Sequence, residues 1–140
     1  MLTVPYVLED ARIDAVFVDD FGPYDPAVWR LAAWNTNAAL PEGGAYVEYP
    51  ALNRVPGVGR AFWLITNEAA TFDVDDGTPV DSRQPFELTL PAGWHQIGSP
   101  YPAAVDWSAV ETSAPVQGPH GYNGQEYQLN VSRLEPWPTS

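Results

Sequence analysis

The chain predicts an all-β domain, a sandwich or partly open barrel of about nine short strands with at most one or two short helical turns. Three observations predict it. Six Trp, seven Tyr and five Phe favour pleated, half-buried surfaces over helices. Fifteen Pro and eleven Gly interrupt every stretch long enough for a helix bundle. Turn signals recur about every 8–12 residues between short apolar runs. At 140 residues the chain reads as one domain, residues 1–140. That length buries roughly 70% of the unfolded surface and needs no disulfide or metal to fold.

Leu2 to Leu8 reads as the first strand, with Pro5 marking an edge or a bulge. Ile13, Val16 and Phe17 have helical spacing, which predicts one or two turns ending near Phe21-Gly22-Pro23. Val28 to Trp34 alternates, with Val28, Arg30 and Ala32 on one face and Trp29, Leu31 and Ala33 on the other. Pro41-Glu42-Gly43-Gly44 is a loop, and Ala45 to Tyr49 returns as a hairpin partner. Arg60 to Thr66, the most apolar run, is expected to be a central strand. Thr71 to Val74 leads into Asp75-Asp76-Gly77, a type I′ hairpin signal.

Phe86 to Leu90 alternates, and Trp94 to Gly98 is expected to continue the sheet. Asp106 to Val110 suits a single helical turn. Asn123-Gly124 is a second tight-turn signal, and Tyr127 to Arg133 reads as the last strand. Two halves, about 1–70 and 85–140, keep similar features in the same order. Val4-Pro5-Tyr6 parallels Ser99-Pro100-Tyr101, and Gly44 to Tyr49 parallels Gly124 to Leu129. We read this as an internal pseudo-repeat. The second half stops at Pro138-Thr139-Ser140 where the first has Leu64-Ile65-Thr66, so one strand is expected to be missing and a sheet edge open.

Net charge is −12, with six Arg and no Lys. Nucleic acid is therefore excluded as an expected partner, because phosphate contacts need a basic face. An anionic membrane surface is disfavoured for the same reason, and no run approaches the ~20 apolar residues that membrane insertion by a helix requires.

Few constellations suit chemistry. Ser99, His95 and Asp106 lie close in sequence, but Ser99 sits in Gly-Ser-Pro rather than on a nucleophile elbow, so no catalytic residue is assigned. His95 and His120 are the two imidazoles and no cysteine exists, which leaves zinc unsupported and no cofactor expected. Asp73, Asp75, Asp76 and Asp81 crowd one loop and form a candidate calcium site, against the competing reading of a solvated hairpin tip. Among the tryptophans, Trp63 and Trp94 are expected in the core, where large aromatics fill the space between sheet layers. Trp34 and Trp107 sit beside polar residues and, with Tyr101, form a candidate carbohydrate-stacking set.

Several blocks also carry a family resemblance. They are Val4-Pro5, Asp19 to Pro26 ahead of Trp29-Arg30-Leu31, Tyr46 to Pro50, Gly59 to Ile65, Gly93 to Pro100 and Leu134-Glu135-Pro136-Trp137. Together they resemble a family of β-rich modules found near the C-terminal ends of large secreted and cell-surface proteins of bacteria. Members usually place Gly-Tyr-Trp after the last block, where this chain has Pro138-Thr139-Ser140. The resemblance implies an extracellular or cell-surface location, as part of a precursor whose signal peptide is not in this chain. It also implies a non-catalytic structural or adhesive role. The expected partners are other protein domains, or copies of the chain joined by strand pairing through Leu2 to Leu8. Polysaccharide is the alternative partner.

Overall fold

A computed structural model describes residues 1–74 and 76–136. Its largest element is a four-stranded antiparallel sheet built from β1 (Leu2–Thr3), β3 (Trp29–Thr36), β4 (Gly44–Glu48) and β5 (Ala61–Thr66), in the order β1-β5-β3-β4. Among the described residues the fold is thus all-β, with several antiparallel sheets and no closed barrel. The Arg60 to Thr66 run lies in the sheet interior as its composition predicts.

The strand beginning at Leu2 divides at Val4-Pro5. Leu2–Thr3 pairs with β5, while β2 (Tyr6–Leu8) pairs with β6 (Gly77–Pro79) in a separate ladder. Proline has no N–H for a ladder, and Pro5 is buried at the point where the chain changes sheets. Both parts of Leu2 to Leu8 are therefore paired within the chain, the first to β5 and the second to β6.

One helix, α1 (Ile13–Phe21), lies on the inner face of the sheet. Its buried side chains are Ile13, Val16 and Phe17, at the spacing that one helical face requires. Gly22 ends it with φ 79°, and its N–H donates to Val18 O at 2.8 Å. Trp29, Leu31 and Phe62 meet α1 from the sheet, all essentially inaccessible. Phe17 is the hub: its ring centroid lies 5.3 Å from Phe72, 6.0 Å from Phe21, 6.2 Å from Trp29 and 6.3 Å from Phe62.

Just before α1, Arg12 grips Asp10 with Nη2 2.7 Å from Oδ2. That hydrogen-bonded guanidinium holds the Asp10 carboxyl at about 2, below its ordinary 3.8. The folded value is depressed, so the stabilisation is complete above the unfolded value and is lost as pH falls through about 2. Carbon-detected NMR titration of Asp10 should give that low midpoint, and Arg12→Gln should return it towards 3.8.

The second half folds into smaller pieces. β7 (Val105–Asp106) pairs with β10 (Arg133–Leu134), and β8 (Gly121–Tyr122) pairs with β9 (Tyr127–Gln128) around the Asn123-Gly124 turn. A single 3-10 turn covers Trp107–Ala109, as expected for this segment. The segments aligned as repeats differ in extent: Gly44–Glu48 is a five-residue strand, whereas Tyr127–Gln128 has two residues.

Four sequence expectations need correction. Phe86 to Leu90 forms no strand; Pro85 and Pro91 bracket it, and Phe86 and Leu88 rest instead on the backbone at Gly59. Trp94 to Gly98 makes a single bridge, Arg60↔Ile97, rather than a full strand. Tyr127 to Arg133 is broken at Asn130, whose φ of 53° cannot continue a ladder. Thr71 to Val74 is not a hairpin arm, because Gly77 opens a strand paired with Tyr6–Leu8. Asp75 of that turn lies outside the described residues.

Candidate aromatic contact face

Register decides which aromatics reach the surface. Trp29↔Thr66 and Leu31↔Leu64 point inward, so Ala32↔Trp63 and Trp34↔Tyr46 point outward. Trp34 and Tyr46 form a cross-strand edge-to-face pair with centroids 5.1 Å apart. Trp63 Nε1 donates to the Tyr46 hydroxyl at 3.2 Å, and its ring meets Tyr122 edge-on at 5.0 Å. Tyr122 and Tyr127, cross-strand partners in the hairpin, lie 5.3 Å apart. The Tyr127 phenol is pushed up, first by partial burial and then by the Tyr46 phenol. The β8–β9 hairpin is thereby fastened over the outer face of the sheet by aromatic contacts.

Trp94 is the prominent residue of this region, with 56% of its surface exposed. Tyr46 at 51% and Tyr127 at 62% accompany it. The exposure of Trp94 and the half-buried position of Trp63 correct their expected core placement. Apolar neighbours in sequence do not choose a face, and Phe62 fills the interior beside Trp63 instead. Of the described tryptophans, Trp29 alone is buried.

The backbone beneath Trp94 is held from several directions. Thr36 Oγ1 donates to Trp94 O. The Trp34 N–H donates to Gln96 Oε1 at 2.8 Å, and the Ala61 N–H donates to Gln96 O at 3.0 Å. His95 Nε2 lies 2.8 Å from Pro91 O, so that nitrogen carries the proton and donates. Its Nδ1 then accepts from Arg60 Nη1 at 3.2 Å. Gln96 thus takes the ladder position beyond the start of β5. An exposed indole sits on a fixed support.

Gly44 completes the platform. A Cβ there would fall 2.5 Å from Asn35 O and 2.6 Å from the Trp34 ring, so the ring can lie over this position only because the side chain is absent. Arg30 and Glu48 close the face with a bidentate pair at 2.6 and 2.7 Å. The Arg30 guanidinium lowers the Glu48 carboxyl's pKa through those bonds.

The candidate stacking set is divided by the structure. Trp34 joins the aromatic face through Tyr46. Trp107 lies half-buried on the 3-10 turn, and Tyr101 is tied through its hydroxyl to Gln84 O at 2.6 Å. Among the described residues neither of these two rings meets another aromatic. Sequence reading missed Tyr46, Tyr122, Tyr127 and the exposure of Trp94. The available signal was alternation: Trp34 shares the face of Arg30, and Tyr46 is its partner across a predictable hairpin.

Ser99, His95 and Asp106 are each engaged separately. Ser99 is buried, its Oγ 2.5 Å from Ala103 O and 3.1 Å from Tyr101 O, and it accepts the Tyr101 N–H at 3.1 Å. Asp106 pairs with Arg133 at 3.1 Å. Ser99 therefore holds the Pro-Tyr-Pro turn. Ser99→Ala should cost about 1–3 kcal/mol in chemical denaturation, because those backbone groups lose their partner. Two surface grooves of about 350 and 210 Å³ lie elsewhere, lined around Arg12 and around Tyr6, and neither takes in His95 or Ser99.

In the acidic loop, Asp81 turns to Arg83 at 2.9 Å, and Asp20 accepts the Asp73 N–H at 2.9 Å. Among the described residues no three His, Asp or Glu side chains form a group able to hold a metal ion; Asp75 falls outside them, as does Trp137. No helix of the described chain is long and apolar enough to cross a membrane. In comparisons with known proteins, no family model, curated protein or solved structure matches the chain.

Proposed function

We propose that the chain is a non-catalytic structural or adhesive module of a bacterial surface protein, and that it makes contact through the face around Trp94, Tyr46 and Tyr127. The observation that carries this reading is an indole 56% exposed on a backbone pinned through Thr36, His95 and Gln96. Rigid, exposed aromatics are the side chains that dominate recognition surfaces, because little freedom is left to lose on binding. The extracytoplasmic location rests on the resemblance of the sequence blocks. Beads carrying the chain should be retained on isolated bacterial envelope material. Replacing Trp94 and Tyr127 with alanine should weaken retention by about tenfold or more. Equal retention of native and variant chains would count against the reading.

Strand pairing between copies is a second reading, favoured by the edge position of β4 in the sheet. The Tyr49 N–H donates to Leu31 O at 2.9 Å, so the alternate residues Gly44 and Tyr46 turn their backbone groups outward. Light scattering across a concentration series distinguishes the two: a dimer dissolved by Tyr46→Pro supports edge pairing, and a monomer throughout removes it.

A further inference from the structure

We infer that the ligand of the aromatic face is an uncharged polysaccharide, an inference that rests on the contact-face reading above. The first argument is electrostatic. Among the side chains that the sheet turns outward, the charged ones are Arg30 and Glu48, and they neutralise each other in the bidentate pair. A cationic segment would find no unpaired carboxylate on that sheet face. A polyanion would meet the long-range repulsion of a chain carrying −12. A second copy brings the same −12 and is opposed in the same way. An anionic partner is thus repelled by the whole chain, and a cationic one, though drawn by that charge, finds the carboxylate of the sheet face already paired.

The second argument is chemical. What remains accessible is ring surface from Trp94, which packs against His120 at 5.8 Å, and from Tyr46 and Tyr127, the Tyr46 hydroxyl accepting from Trp63 Nε1. A pyranose offers the complement: axial C–H groups, slightly positive, on its faces, and hydroxyls around its rim. The C–H faces meet the negative face of an aromatic quadrupole, and the rim hydroxyls reach phenols or the Arg30–Glu48 pair. The third argument is entropic. The bonds from Thr36, His95 and Gln96 hold the Trp94 backbone before any ligand arrives, so less ordering remains at binding.

Affinity electrophoresis tests this with laminarin, xyloglucan, mannan and dextran as neutral probes, alginate as the anionic one and polylysine as the basic one. Titrations that follow tryptophan fluorescence give the Kd. At least one neutral polymer should retard the native chain, with a Kd that changes less than about twofold between 0.05 and 0.5 M salt. Trp94→Ala should raise that Kd by about tenfold or more, whereas Phe86→Ala, outside the face, should leave it unchanged. All variants are compared at equal melting temperature.

Retardation by alginate or polylysine alone, abolished by salt, would overturn the inference. So would indifference to every neutral polymer. If Trp94-dependent retention on envelope material persisted in that case, the contact face would stand and its ligand would be something other than a neutral glycan. Loss of both would remove the contact face itself.

Discussion

Phe17→Ala should lower the free energy of unfolding by about 3–5 kcal/mol. Phe17 is fully buried and touches Phe21, Trp29, Phe62 and Phe72. It is therefore the side chain through which helix, sheet and the Phe72 segment share one core. Its removal leaves a cavity walled by rigid rings that relax poorly, so the lost packing adds to the lost transfer energy. Domains of this size are stable by about 5–15 kcal/mol, and the variant would fall near the lower limit of folding. Urea denaturation followed by far-UV circular dichroism measures the loss directly. A loss below about 1 kcal/mol would mean that α1 is not docked on the sheet through this residue.

Gly44→Ala should cost about 1–3 kcal/mol, although it adds a single methyl, because Gly44 is buried at the start of β4. The added carbon would have to share space with Asn35 O, which is backbone of the neighbouring strand, and with the Trp34 ring. Neither can move without shifting the β3–β4 ladder or the Trp34–Tyr46 pair. Near-UV circular dichroism should therefore change together with the denaturation midpoint. Gly57→Ala is the control: nothing lies within 4 Å of its added carbon, and its midpoint should stay put. Equal behaviour of the two variants would show that Trp34 does not lie over Gly44.

Local pattern carried much of this fold. The Ile13, Val16 and Phe17 spacing was enough to place α1, and alternation from Trp29 onwards was enough to sort inner from outer residues in β3. Asn123-Gly124 marked its hairpin through turn chemistry alone. What local pattern lacks is the partner. Phe86 to Leu90 alternates as well as any true strand, yet no neighbouring strand takes up its hydrogen bonds. Asn130 adopts a left-handed conformation that an Asn-Val pair does not announce. Trp63 could be placed only by knowing that its partner is Ala32, since Phe62 and Trp63 compete for the same interior.

The contact face was the least legible part for a related reason. Tyr46, Trp63 and Tyr122 come from three separate segments, and contacts across register and hairpin bring them together. Trp94 is held outside by groups on β3 and near β5 that are remote in sequence, among them Thr36 and Arg60. The residues next to Trp94 in sequence say nothing about those supports.

Hydroxyl-radical footprinting, read residue by residue in the presence and absence of bacterial envelope material, tests the proposed contact face most directly. Trp94, Tyr46 and Tyr127 should oxidise readily in the free chain, Trp29 and Phe17 should resist, and the first three should become protected on contact. Trp94 as resistant as Trp29 in the free chain, or equally reactive with and without the material, would contradict it.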